Sequence, residues 1–125
     1  NAIAYFTNII QKQSKSAVAH HYRAKAHFAL NNFHSCIYDC TQVAKYTNEL
    51  PENHLLQSRA YLKLKDFENA ILQIDRYINL QRGHNTEGYR WKGIILYQMN
   101  QHKDADIAFQ KALFDSQKTT AIFKT

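Results

Sequence analysis

The chain has 125 residues, 45% of them apolar, which is the size of one domain with enough apolar mass for a core and excludes a disordered tail. Three Gly, one Pro and two Cys exclude collagen-like, Gly-rich and disulfide-stapled chains, and no apolar stretch approaches the ~20 residues of a membrane-spanning helix. Sixteen basic and ten acidic residues give +6, so an acidic partner is favoured, and a soluble, intracellular, cytoplasmic protein is expected. The excess is lopsided: up to Tyr38 the chain has Lys12, Lys15, Arg23 and Lys25 and no acid at all.

Helical spacing sets the elements in chain order. Asn1 to Gln13 carries Ala2, Phe6, Ile9 and Ile10 on one face. Ala17 to Leu30 is a second helical stretch, with small residues at Ala24 and Ala26, and Asn31-Asn32 reads as a turn. A helix bearing Cys36, Ile37, Cys40, Val43 and Ala44 follows. Pro51, suited to a first helical turn, opens Pro51 to Leu64, where Ser58 and Ala60 are small. At Lys65-Asp66 a turn is expected with Lys65 mildly strained, before a helix bearing Ala70, Ile71, Ile74, Tyr77 and Ile78. Gly83 to Asn85 reads as a stop. Thr86 to Met99 holds Gly93 and Ile95, Asn100-Gln101 turns the chain, and the next helix carries Ala105, Phe109, Ala112 and Leu113. Thr119 to Thr125 reads as the start of a further helix, with Ala121, Ile122 and Phe123 covering the end of the preceding unit.

These elements repeat. The small residues Ala2, Cys36, Ala70 and Ala105 are 34, 34 and 35 residues apart, each followed four residues later by an apolar one. The expected division is a truncated second helix over 1–13, repeats over 17–50, 51–85 and 86–118, and a new helix from 119, so the chain reads as a slice of a longer array. Ser58-Arg-Ala60-Tyr61-Leu-Lys-Leu-Lys65-Asp66-Phe67-Glu-Asn-Ala70-Ile71 resembles the tetratricopeptide repeat in its Ala-Tyr, Asp-Phe and Ala-Ile pairs. Departures are the missing helix-terminal Pro, Cys36 in place of Ala and Asp106 in place of an aliphatic residue. The resemblance implies an all-α, right-handed superhelical solenoid of helix-turn-helix units whose first helices line a concave groove.

By that register the groove residues are Val18, His21, Tyr22, Lys25 and Phe28, then Glu52, Leu55, Leu56, Arg59, Leu62 and Lys63, then Glu87, Arg90, Trp91, Ile94 and Tyr97. Tyr22, Lys25, Leu55, Leu56, Arg59, Lys63, Arg90, Trp91, Ile94 and Tyr97 are the expected partner-binding set, with Leu56 and Trp91 as anchors. Phe28, Leu62 and Ile94 are equally suited to the core between repeats. The carboxylate clamp that some members of this family use falls at His21, Lys25, Leu56, Glu87 and Trp91, none of which keeps the family's residue, so a clamp is not expected.

Catalysis is not expected, because the sequence has no phosphate loop, nucleophile elbow or zinc-protease motif. No metal or cofactor is expected either. Cys36 and Cys40 occupy core positions, and His20, His27 and His34, spaced by seven, are read as polar surface, with His27 packed. The leading expectation is a protein-protein interaction scaffold binding an apolar-anchored peptide or helix with acidic flanks. The alternative is an RNA-binding helical-repeat module, with Lys25, Arg59, Lys63 and Arg90 on phosphates and Tyr22, Trp91 and Tyr97 stacking on bases, which Glu52 and Glu87 on the same face oppose. Self-association through the array ends is a further expectation.

Overall fold

The computed structural model describes residues 1–47 and 50–124, with side chains as far as 117. The helices are α1 (Ala2–Lys12), α2 (Ala17–Ala29), α3 (Phe33–Tyr46), α4 (Pro51–Lys63), α5 (Phe67–Leu80), α6 (Thr86–Gln98) and α7 (His102–Lys124). The described residues contain no strand. α2 with α3, α4 with α5 and α6 with α7 form antiparallel pairs, and each pair packs on the next, so the chain is an all-α helical-repeat solenoid.

Local chemistry explains the breaks. Asn1, Ser16 and Asp66 cap their helices by accepting from the backbone N–H of Ala4, Ala19 and Asn69. Each intra-unit turn puts one non-glycine residue in the left-handed region: Asn31 at φ 63°, Lys65 at 59° and Asn100 at 62°. The same two closing bonds recur, Asn32 N–H to His27 O with Asn31 N–H to Phe28 O, and likewise from Asp66 and Lys65 and from Gln101 and Asn100. Asn tolerates this conformation, whereas Lys65 gains no such relief from its long side chain.

Within each unit the two helices approach closely at small residues. Ala24, Ala60 and Ser58 are fully buried, and the Ser58 hydroxyl donates to Ala70 O at 2.7 Å. At Gly93 an added Cβ would lie 2.5 Å from Cε1 of Phe109, so α6 can meet α7 there only without a side chain. Gly88 makes the matching approach to the preceding unit, where a Cβ would come 2.6 Å from Ile78. Apolar clusters fill the gaps: Ala24, Cys36, Cys40, Leu56 and Ala60 in the first, and Leu62, Ala70, Ile74, Tyr77 and Ile95 in the second.

Two expectations are corrected. His20 is buried rather than a surface residue: its two ring nitrogens face Asp39 Oδ1 at 3.2 Å and Ser14 O at 3.1 Å. Asp39, 1% exposed, also accepts both arms of Arg23 at 2.6 and 2.8 Å, tying α2 to α3, and Arg23 donates onward to Thr7 of α1. The segment from 119 is not a separate helix, because α7 continues unbroken to Lys124; the side chains of Ala121, Ile122 and Phe123 lie outside the described residues. Cys36 and Cys40 are buried and unbridged, and hydrogen bonding with Cys36 together with burial pushes the Cys40 thiol well above its ordinary range.

Two substitutions test this framework. Lys65→Gly relieves the left-handed strain and is expected to raise stability by about 0.5–1 kcal/mol in denaturant unfolding. Gly93→Ala is expected to lower it by about 1–3 kcal/mol, because the Phe109 ring must move out of the crossing.

Candidate functional site

Among the described residues the backbones of the first helices approach one another along the array, α2 to α4 and α4 to α6, whereas those of α3, α5 and α7 stay farther apart. The first-helix side is therefore the inner, tighter side of the stack. The sequence register places Val18, Tyr22 and Lys25 of α2, Glu52 and Lys63 of α4, and Glu87, Arg90 and Tyr97 of α6 in exposed positions. His21, Phe28, Leu55, Arg59, Trp91 and Ile94 are half-buried on the same side.

Leu56 does not fit the expected role. It is 8% exposed, packed among Ala24, Cys36, Cys40 and Ala60, and only its edge reaches the surface. The small Ala24 leaves a hole on the preceding unit that a leucine fills. At the equivalent positions Tyr22 is exposed and stacks on Phe6 of α1 with ring centroids 5.7 Å apart, and the larger Trp91 is half-buried against the cluster of Leu62, Ala70, Ile74, Tyr77 and Ile95. Leu62, 7% exposed, likewise belongs to the core.

Three recesses run along this side. The first, about 360 Å³, lies among Val18, His21, Tyr22 and Leu50. The second, about 180 Å³, lies among His21, Lys25, Glu52, Leu55, Leu56 and Arg59. The third, about 350 Å³, has an apolar floor of Leu62, Trp91 and Ile94, with Arg59, Lys63 and Lys65 at its edge. His21 is a wall of the first two and Arg59 of the last two, so the three adjoin in a row along this side. Of the expected set, Tyr22, Lys25, Leu55, Leu56, Arg59, Lys63, Trp91 and Ile94 line this groove, Leu56 by its edge alone. Tyr97 lies outside, edge-on to His102 at 4.7 Å. Arg90 also lies outside the recesses, bonded to Glu87 at 2.7 Å and lying over the Trp91 ring at 5.3 Å.

The charges are unevenly partnered. Glu87 accepts from Arg90 and from the Trp91 indole N–H at 2.9 Å; burial works to raise its carboxyl, but these bonds and the charges of Arg90 and Arg59 hold it below the ordinary value. The guanidinium of Arg59 lies 4.8 Å from the Phe28 ring centroid and 4.9 Å from that of Trp91. The sequence register alone missed this contact, because the three residues stand one turn earlier in each successive unit, a diagonal that a search at constant period passes over. Another recess of about 350 Å³ lies between α5, α6 and α7, against Ile71, Tyr89, Lys92 and Ile107. Its cations already have partners: Lys92 bonds Asp75 at 2.8 Å and Lys111 lies over the Tyr89 ring.

No family model matches the chain, and no curated protein matches it. Among solved structures, a crystal structure of MamA superimposes with a TM-score of 0.90 at 17% identity over 95% of this chain and 69% of that one. MamA from Desulfovibrio magneticus RS-1, residues 41 to its end, gives 0.87 at 13% identity over 93% and 65%. The second TPR of Spaghetti (RPAP3), bound to the HSP90 peptide SRMEEVD, gives 0.73 at 19% identity over 83% of this chain and 96% of that one. The fold is that of the tetratricopeptide repeat. Among the described residues no helix is long and apolar enough to cross a membrane.

His21, shared by two recesses, supplies a pH test. Burial, reinforced by the charge of Lys25, lowers its pKa below 6.5, although Glu52 acts in the opposite direction. The folded chain thus resists a proton that the unfolded chain accepts, so stability is full above 6.5 and declines as the pH falls below it. His21→Gln is expected to lose less thermal stability than the wild type over that acid range.

Proposed function

We propose that the chain is a non-catalytic protein-protein interaction scaffold that holds a peptide or helix of its partner in the groove of α2, α4 and α6. The observation that carries this reading is the row of three adjoining recesses with shared walls at His21 and Arg59. Their apolar lining of Tyr22, Leu55, Trp91 and Ile94, bordered by Lys25, Arg59 and Lys63, complements a segment anchored by apolar side chains and flanked by acids. The peptide-bound RPAP3 domain supports peptide capture as a use of this fold.

The mode differs from a carboxylate clamp. Of the five clamp positions, Leu56 is buried, Glu87 is acidic and occupied by Arg90 and Trp91, and Trp91 offers no charge. That leaves His21 and Lys25, too few for a clamp. Glu52 and Glu87 on the same face also weigh against a polyanion such as RNA.

Peptides selected from a random display library against the intact chain provide the test. Trp91→Ala and Ile94→Ala are each expected to weaken the selected peptides by more than about 1 kcal/mol. Unchanged affinity with unchanged melting curves would remove the groove as the site. Binding of single-stranded RNA that falls steeply with salt would favour the RNA-binding alternative.

A further inference from the structure

Arg59 is a cation built into the groove with no ion-pair partner among the described residues. Its neighbours Phe28 and Trp91 come from α2 and α6, so three successive first helices meet at one guanidinium. Its Nε is buried and has no hydrogen-bond partner. Among the described residues no carboxylate lies within ion-pair distance of it, and Glu87, whose charge it feels, bonds to Arg90 and Trp91 instead. The contrast with Arg23 is direct, since that fork is filled by Asp39.

A guanidinium confined by aromatic rings has surrendered much of its rotamer freedom and part of its hydration before any ligand arrives, while its N–H donors remain in the plane of the group. The group that matches a planar fork is a carboxylate, which accepts two parallel bonds. Recesses lie on both sides of Arg59, so an occupant runs past it rather than ending there, which favours a side-chain carboxylate over a chain end. On one side the recess floor is Leu62, Trp91 and Ile94, suited to a bulky apolar side chain.

We infer that Arg59 receives an Asp or Glu side chain of the partner as a bidentate pair, while an apolar side chain beside that acid enters the recess of Leu62, Trp91 and Ile94. The inference rests on the groove reading above and specifies its occupant: a protein segment with an acidic residue next to a large apolar one. Arg59 is not among the five clamp positions, so this is a separate mode of carboxylate recognition.

The probe is a peptide selected from the random display library, together with a copy in which its acidic residue is replaced by the corresponding amide. Selected sequences are expected to pair Asp or Glu with a neighbouring apolar residue. On the wild type the amide copy is expected to bind at least about tenfold more weakly, the loss of a charge-assisted pair, and on Arg59→Met the two copies should bind alike. Arg59→Lys is expected to recover only part of the difference, because an ammonium makes no planar fork. The amide comparison on the wild type stands even if Arg59→Met lowers stability. Equal binding of both copies to the wild type, or an undiminished difference on Arg59→Met, would overturn the assignment to Arg59 and leave the groove intact if Trp91→Ala still weakens binding. A library that yields no binder, or binders displaced by oligouridylate and indifferent to the acid, would overturn both.

Discussion

The structure depends on how near the two helices of a unit can come. A helix-turn-helix unit cannot enclose its own apolar stripe and must pass it to a neighbour. It can do so only if its own two helices already cross at short range, through Ala24 with Cys36, Ser58 and Ala60 with Ala70, and Gly93 under the Phe109 ring. Once those crossings are set, the backbones of the first helices approach one another and those of the second helices stay farther apart. The curvature, and with it the groove, follows from side chains that are scarcely there.

Much of this was legible in the residues because it recurs. Small residues at fixed intervals, and the three dipeptides at the turns, mark positions where backbone geometry dictates the choice, and backbone geometry is the same in every unit. Asn31, Lys65 and Asn100 all adopt the left-handed conformation that such a turn requires. What was not legible is what differs between units. Leu56, Tyr22 and Trp91 occupy one register position, yet one is core, one is exposed against α1 and one is half-buried on the second cluster, because the room beside each is fixed by other residues. Arg59 with Phe28 and Trp91 depends on a diagonal offset between units, and His20 with Asp39 on a polar pairing that a search for apolar periodicity does not weigh.

Charge takes on a different meaning once its partners are known. The four bases of the first 38 residues suggest a uniformly basic end, but Arg23 is spent inside the fold on Asp39 and Thr7. Beside the groove Arg90 is matched by Glu87, and in it Arg59 is matched by no acid among the described residues. The net figure of +6 thus says less about recognition than the position of a single unmatched guanidinium beside an apolar recess.

The buried pairing of His20 and Arg23 with Asp39 has a neutral counterpart one unit later, where His54 meets Gln73 at 2.8 Å and Gln57 stands at the position of Arg23. Units built on one backbone are at risk of docking out of turn, a first helix closing on the wrong second helix while the chain folds. Were α2 to close on α5, Arg23 would meet Gln73, and Asp39 would be left to His54 and Gln57, a buried carboxylate without its guanidinium. Such an orphaned buried charge costs about 3–5 kcal/mol, comparable to the whole stability of a small domain. The polar residues inside the first two units thus differ where the backbones match, so each first helix finds its full set of partners only on its own second helix.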